Sequence, residues 1–417
     1  MFRAPRGTKD ILPEEQPYWR YVIDRVEETC RLYGYQRIDT PAFEDTTLFT
    51  RGAGETTDII EKETYTFDDR GGNSLTLRPE GTAPVCRAYV EHGMHTRPQP
   101  VRLHYVTPVF RYDRPQAGRY RQHYQFGIEA IGDASPALDA EVIDFAWRLM
   151  HSLGLSQVKL LINSIGDPHC RPAYLELLKA HYGGHAGDLC RDCRRRLERN
   201  PLRLLDCKQP RCQEIGKDAP KSAGHLCPEC AEHFAALQAN LTALAIPFEV
   251  DDHLVRGLDY YTRTVFEIHP PEAGAQSAIC GGGRYDGLVE VLGGKPTPGI
   301  GFGLGLERLI LNFKKAGLEP PVTAGPQLFI AHLGEAAAEA ALKLASTLRT
   351  QGIGVIVATG GRSLKSQLRQ AGKLDVSRVV IIGDDEVASG TVVLRKMATS
   401  QQETVPIGRL MELLGRE

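Results

Sequence analysis

Residues 299 to 305 place glycine at every second position, as Gly299-Ile300-Gly301-Phe302-Gly303-Leu304-Gly305, and then run into Leu306-Glu307-Arg308. Alternation with a period of two is strand geometry, so one face carries Ile300, Phe302 and Leu304 while the other carries no side chain. Such a strand gives up backbone entropy, and it suits a place where another backbone or a flat ligand lies directly on the bare face. The rhythm then changes. Leu306, Leu309, Ile310 and Phe313 recur at helical spacing, and Arg308 falls off that stripe in the first turn, where the macrodipole favours anions. A bare strand face beside a cation suits a nucleotide; a glycine-packed strand beside a surface arginine is the plainer alternative.

A chain of 417 residues exceeds the ~250 to 300 that one core holds, so two or three domains are expected. Met1 to Asp10 lacks the apolar core of a signal peptide, and no uncharged apolar run reaches membrane-spanning length, so a cytoplasmic protein without a membrane partner is expected. The net charge of -2 gives no global attraction to nucleic acid, and any such contact must use local basic patches.

A helix is expected from Pro13 to Tyr35, ending at Gly34, and a long antiparallel hairpin from Val101 to Phe110 and Tyr120 to Ile131 around a basic tip. On its second strand Tyr124, Phe126, Ile128 and Ala130 share the core face, while His123, Gln125, Gly127 and Glu129 share the polar one. Residues 135 to 153 read as helix and Val158 to Ile165 as strand. The stretch from 168 to 245, rich in Cys, Arg and His, reads as an insertion, after which strands resume. A linker from Glu319 to Pro326 precedes a different texture, in which apolar strands at Leu328 to Ala331, Val355 to Ala358 and Val379 to Ile382 alternate with helices. That is the βαβ pattern of a small, mostly parallel sheet in its own domain.

Four further places hold chemistry-bearing groups. Arg256-Gly257-Leu258-Asp259-Tyr260-Tyr261 puts a cation that can approach an anion closely beside two flat walls with hydroxyl handles. Arg111, Arg114, Arg119 and Arg121 surround the hairpin tip, where planar guanidinium forks suit phosphate oxygens. Leu77-Arg78-Pro79-Glu80-Gly81-Thr82 sets a carboxylate and a hydroxyl in a tight turn, positioned to receive an ammonium group or a metal, or serving simple turn chemistry alone. Cys280-Gly281-Gly282-Gly283-Arg284-Tyr285-Asp286 has three successive glycines, yet neither a GxGxxG nor a P-loop pattern is present.

Six of the ten cysteines fall between 190 and 230. The pairs Cys190/Cys193 and Cys227/Cys230 offer four thiolates to one tetrahedral structural zinc, or stay as free thiols.

In this order these elements resemble the class II aminoacyl-tRNA synthetases, over nearly the whole chain. The hairpin from Phe110-Arg111 to Glu129 looks like class motif 2, Gly299 to Arg308 looks like motif 3, and the amino-terminal helix with the Pro41 turn is similar to the dimer-forming motif 1. Leu254 to Tyr261 and Cys280 to Gly287 resemble the two signatures of the histidyl-tRNA synthetase family. The resemblance implies an α+β antiparallel-sheet catalytic domain in two parts, 1–167 and 246–320, split by a helical, cysteine-rich insertion at 168–245 and followed by a small α/β anticodon-binding domain at 327–417. It implies activation of L-histidine by ATP with Mg²⁺, transfer to tRNA(His), and a homodimer. By the same resemblance Arg111 and Arg256 are catalytic and hold the α-phosphate, with Arg308 on the γ-phosphate. Glu80 and Thr82 bind the histidine amino group; Gln125, Glu129, Tyr260 and Tyr261 line the imidazole pocket. Gln116, Arg119 and Arg121 meet the tRNA acceptor end, and the other hairpin-strand histidines, His104 and His123, gain no role. A synthetase-like regulatory subunit of ATP phosphoribosyltransferase is the nearest rival, and it is expected to lack the 327–417 domain.

Overall fold

The computed structural model describes residues 2–54, 57–114, 118–271, 278–321 and 326–414. Its contacts divide into two units, Met1–Pro320 and Pro321–Glu417. Among the described residues no helix is long and apolar enough to cross a membrane.

An eight-stranded sheet organises the first unit, in the order Gln36–Arg37, Val101–Phe110, Gln122–Ile131, Gly299–Gly305, Cys280–Arg284, Thr262–His269, Lys159–Ser164 and Glu249–Val250. The six inner strands are all antiparallel to their neighbours, and the two-residue edge strands pair parallel. One face is covered by the helices Gln16–Leu32, Pro136–Ser152, Pro228–Ala243 and Leu306–Lys315. Onto them Phe126, Ile128, Ile300, Phe302 and Phe266 project, all essentially inaccessible, as alternation from Tyr124 to Ala130 and from Ile300 to Leu304 requires. Local chemistry sets the boundaries of these helices: Gly34 at φ +73° follows the first, and the Ser135 hydroxyl accepts from Leu138 N ahead of Pro136 in the second.

The opposite face of the sheet carries polar residues beside a second apolar cluster that includes Val101, Leu103, Tyr105, Ile131 and Val265. Between the strands Lys159–Ser164 and Glu249–Val250 lies the inserted segment, with helices Arg171–Gly183, Arg191–Arg199 and Pro210–Gly216 around a small core of Tyr174, Leu178, Tyr182 and Leu204. The segment's last helix, Pro228–Ala243, belongs to the main core instead, through Phe234, Leu237 and Leu241.

The second unit has a five-stranded sheet ordered Val355–Val357, Leu328–His332, Arg378–Ile382, Thr391–Lys396 and Gln402–Pro406. The first three strands are parallel, as the βαβ rhythm predicts, but the last two add antiparallel pairings. Only the buried Val392, Leu394 and Val405 mark those two strands, so their apolar signal is weak.

Candidate active site

Strand register brings glycines of three neighbouring strands into one row. Gly127 pairs with Gly303 and Gly303 with Gly281, so the centre of the polar sheet face has no side chains across three strands, between Tyr105 and Glu267. The bare strand face expected at 299–305 is therefore part of a wider trough. Side chains from the flanks lie over it: the Tyr105 ring over Gly127, the Gln125 amide over Gly303 and the Arg256 guanidinium over Gly281. A methyl group at any of the three would collide with that cover, which is the physical reason for glycine there. Gly301 likewise makes room for the Glu129 carboxylate and Gly299 for the Tyr285 ring.

Above the trough opens a cleft of about 1020 Å³. Glu80, Thr82, Arg111, Arg119, Gln125, Arg256, Tyr260, Tyr261 and Arg308 all line it, so the structure gathers residues spread over more than half the chain.

One end is acidic and aromatic. Glu80 is buried and accepts from Thr82 N at 2.5 Å and Ala83 N at 2.9 Å, satisfying two first-turn amides of the Thr82–Glu91 helix, whose cap is Gly81. Burial raises its pKa, against the pull of those amides and of Arg111. Glu129 lies just beneath the cleft surface, 1% exposed, accepting from Thr82 Oγ1 (2.8 Å), Tyr105 Oη (3.2 Å) and Tyr285 Oη (2.5 Å). Burial pushes its pKa up to about 8, although the Tyr285 and Thr82 hydroxyls favour the anion. The rings of Tyr260 and Tyr261 meet at 4.7 Å, and Tyr260 meets Tyr285 edge-on at 5.9 Å.

The other end is cationic. Arg111 Nε donates to Pro79 O at 2.6 Å and Arg308 Nη1 to Ala278 O at 2.8 Å, which aims both guanidinium groups while leaving donors over. Burial lowers the Arg308 pKa, with Arg119 and Arg111 adding to it and Glu267 and Asp113 opposing it. Arg256 stands between the two ends. It pairs with Glu267, whose other oxygen meets His269 Nε2 at 2.8 Å, and its guanidinium lies 5.8 Å from the Tyr261 ring centre. Burial works against the charge on Arg256, but Glu267 and Tyr261 more than offset it. Among the described residues four buried polar atoms of the cleft lining have no protein partner: Gln125 Oε1, Arg256 Nε, His123 Nδ1 and Arg203 Nε.

Other placements depart from the sequence reading. His123, to which no role was assigned, lines the cleft, and burial with Arg111 and Arg308 nearby drives its pKa down to about 3, so it is a neutral donor or acceptor there. Arg121 is outside the cleft lining, stacked 3.7 Å from the Tyr112 ring centre, while Arg119 pairs with Asp113 at 3.2 Å. Gln116 lies outside the described residues. Arg203, Asp206 and Lys208 of the inserted segment form one wall of the cleft, which no local motif announces. Asp259 ties the Arg256 loop to that segment by accepting from Asn200 Nδ2 at 2.6 Å.

The single zinc site expected from Cys190, Cys193, Cys227 and Cys230 is corrected by the geometry. Cys190 and Cys193 gather with Cys207 and Cys212, whereas Cys227 and Cys230 gather with Asp167 and Cys170. The chain folds back at Pro201–Leu204, bringing Cys207 and Cys212 to the first pair before the second is reached. Spacing alone paired the two CxxC motifs and missed this return.

A family model described as histidyl-tRNA synthetase matches residues 7–167 and 211–309, and an anticodon binding domain model matches 327–417, the domain that the regulatory rival is expected to lack. A histidine–tRNA ligase of Dehalococcoides mccartyi is 57% identical over 411 residues, covering 99% of this chain and 98% of that protein. One from Desulforamulus reducens is 53% identical over 407 residues, 98% of this chain and 97% of its own. The crystal structure of apo S. aureus histidyl-tRNA synthetase superposes with a TM-score of 0.83 at 40% identity, covering 99% of this chain and 100% of that one.

Proposed function

This chain belongs to the histidyl-tRNA synthetase family and charges tRNA with histidine, and from that premise we propose how its cleft divides the work. The observation that carries the reading is the glycine trough, which joins a cationic end to an acidic, aromatic one with Arg256 between them.

ATP, as its Mg²⁺ complex, lies at the cationic end of the cleft, above the Gln125 and Arg256 side chains that cover the trough. Arg111 and Arg256 hold its α-phosphate and Arg308 its γ-phosphate. L-histidine enters the other end. Its amino group meets Glu80 and the Thr82 hydroxyl, and its imidazole meets Gln125, Tyr260 and Tyr261, with Glu129 as the carboxylate beneath. Among the described residues Gln125 Oε1 is buried without a protein partner, and an imidazole N–H satisfies it. A side chain without such a donor would leave that oxygen desolvated, which is how a hydrogen-bonding pocket rejects apolar analogues.

In the first step the histidine carboxylate, already ionised at neutral pH, attacks the α-phosphorus in line. The bond to the β-phosphate oxygen breaks, and pyrophosphate leaves towards Arg308. No general base is needed. Cations are, and Arg256 and Arg111 offset the charge that grows on the α-phosphate oxygens. In the second step the terminal ribose hydroxyl of tRNA(His) attacks the mixed anhydride and AMP leaves. Gln116, Arg119 and Arg121 of the hairpin meet the acceptor end, and the 327–417 domain meets the anticodon. These substrates place the reaction in the cytoplasm.

The chain works as a homodimer in this reading. An edge-on pair of exposed rings, Phe43 and Phe67, 6.3 Å apart on the small sheet that follows the Pro41 turn, is an apolar spot suited to a second copy. A stable monomer in sedimentation would contradict it. The site assignment is tested by ATP–pyrophosphate exchange: it should depend on histidine and collapse in Arg256→Ala, and full exchange in that variant would remove Arg256 from the reacting centre.

A further inference from the structure

The helix Arg191–Arg199 reads Arg-Asp-Cys-Arg-Arg-Arg-Leu-Glu-Arg, and its one buried residue is Cys193. Half-buried Leu197 adds to that contact, and Arg194 and Arg199 tie the helix to Leu189 O and Glu61, but so little apolar burial gives a nine-residue helix only a weak hold. Its neighbour Pro210–Gly216 is scarcely better supplied, burying Cys212, Ile215 and Gly216. Where these two short helices and the turn between them meet, the sulfurs of Cys190, Cys193, Cys207 and Cys212 all lie within 4.8 Å of one another.

Three of those four sulfurs accept a backbone amide. Cys190 Sγ accepts from Cys193 N at 3.4 Å, Cys207 Sγ from Gln209 N at 3.5 Å, and Cys212 Sγ from Cys190 N at 3.3 Å. Amides turned on sulfur stabilise negative charge and orient a metal ligand, whereas a neutral thiol is a weak acceptor that gives them little. Four buried or half-buried thiolates close together repel one another unless a cation sits among them, and four soft ligands in a closed set select zinc in a structural role.

A second cluster has its own geometry. Asp167, Cys170, Cys227 and Cys230 also lie mutually within 4.8 Å, where the inserted segment leaves the Lys159–Ser164 strand and where it returns in the Pro228–Ala243 helix. Cys170 Sγ accepts from Asp167 N at 3.4 Å. The Asp167 carboxylate is oriented by His169 N at 3.0 Å and by Arg263 Nη2 at 3.4 Å. We propose that the inserted segment holds two zinc ions, one bound by Cys190, Cys193, Cys207 and Cys212, the other by Asp167, Cys170, Cys227 and Cys230.

Each ion fixes a different part of the cleft. The first secures the stretch that supplies Arg203, Asp206 and Lys208 to its wall. The second sits beside Arg171, which donates to Ile165 O, Gly166 O and, at 2.6 Å, Tyr261 O, and so steadies the backbone that presents a wall of the proposed imidazole pocket.

Metal content of the full chain, purified without chelator and read by plasma mass spectrometry, tests both sites. Two zinc ions per chain are expected. Cys193→Ser and Cys212→Ser should each lose one and keep the other, while Cys170→Ser and Cys227→Ser should lose the second and keep the first; Cys30→Ala, in a distant helix, should keep both. Wild-type protein stripped by a mercurial and a chelator should become sensitive to protease between residues 189 and 217 and regain protection with zinc alone. Zinc-free protein, iron in its place, or a Cys190–Cys207 disulfide would overturn the proposal. One ion that survives Cys227→Ser and is lost in Cys193→Ser would overturn the second site and uphold the first.

Discussion

The Arg256 guanidinium lies so close over Gly281 that a Cβ on that glycine would stand 2.6 Å from its central carbon. Gly281→Ala therefore displaces the arginine without a backbone penalty, because residue 281 is in a regular strand and not among the positive-φ positions. A displacement of about 1 Å at a group that positions reacting atoms lowers rates by about 10²-fold. Histidine-dependent ATP–pyrophosphate exchange in Gly281→Ala should fall by that order while the melting temperature changes little. Normal exchange would show that Arg256 is not held at the reacting phosphate.

Arg256 and Glu267 should separate in kinetics. Arg256→Ala removes a cation from developing charge and is expected to slow adenylation by ~3 kcal/mol, more than a hundredfold. Glu267→Gln keeps a hydrogen-bond acceptor for the guanidinium but loses the ion pair, so it should loosen Arg256 and slow adenylation by a smaller factor. Single-turnover formation of the adenylate reads both. Equal losses would make Glu267 a direct participant in the chemistry.

Much of this site was legible from local pattern. Period two exposed the polar face bearing Gln125 and Glu129, and the Arg256 and Glu80 turns announced themselves by residue type. The glycine trough was legible only in part: Gly301 and Gly303 alternate within one strand, whereas Gly127 and Gly281 join them through register, which is set by long-range pairing and not by neighbours in sequence. A histidine on a polar strand face carries no local mark; what depresses His123 is burial under the fold, aided by Arg111 and Arg308 from distant parts of the chain. Cysteine spacing misled for the same reason. Ligand sets are chosen by where the chain turns back, and the turn at Pro201–Leu204 carries no zinc motif.

Glu129 should give stability a distinctive pH dependence. Its folded pKa of about 8 stands above its ordinary 4.5, so between those values the native state keeps a proton that the unfolded chain has released. Unfolding free energy then falls as pH rises through that window, the reverse of a salt-bridged carboxylate. Glu129→Gln has no proton to lose. In urea titrations without ligand, the wild type should lose ground to Glu129→Gln from about pH 5 to about pH 8. A constant difference across the window would mean that Glu129 is ionised throughout.

The phosphate end should read out as affinity for ATP. Among the described residues Arg308 donates to Ala278 O, and burial near Arg119 and Arg111 disfavours its charge, so a phosphate gains from meeting it. Arg308→Ala should thus raise KM for ATP and lower kcat for exchange, since the γ-phosphate contact also draws pyrophosphate away, while KM for histidine stays put. Removing a cation from a phosphate is expected to cost about 2 to 3 kcal/mol in kcat/KM for ATP. A change in histidine KM as large as that for ATP would place Arg308 at the wrong end of the cleft.

Asp139 holds the fold together from the far side of the sheet. Fully buried on the Pro136–Ser152 helix, it accepts from Arg284 Nε at 2.8 Å and meets His233 Nε2 at 2.8 Å, joining the sheet to two helices of the main core. Arg284 is itself inaccessible, with Asp286, Asp133 O and Ser135 O as its other partners. Asp139→Ala leaves a buried guanidinium short of its counter-charge, so a loss of about 3 to 5 kcal/mol is expected in urea unfolding. Asp139→Asn keeps one acceptor and should lose less. Because none of these groups lines the cleft, whatever Asp139→Asn protein remains folded should exchange pyrophosphate at the wild-type rate per native molecule. A stability loss of less than about 1 kcal/mol in Asp139→Ala would mean that Asp286 and the two carbonyls suffice for Arg284, and that the helix is anchored by its apolar face alone.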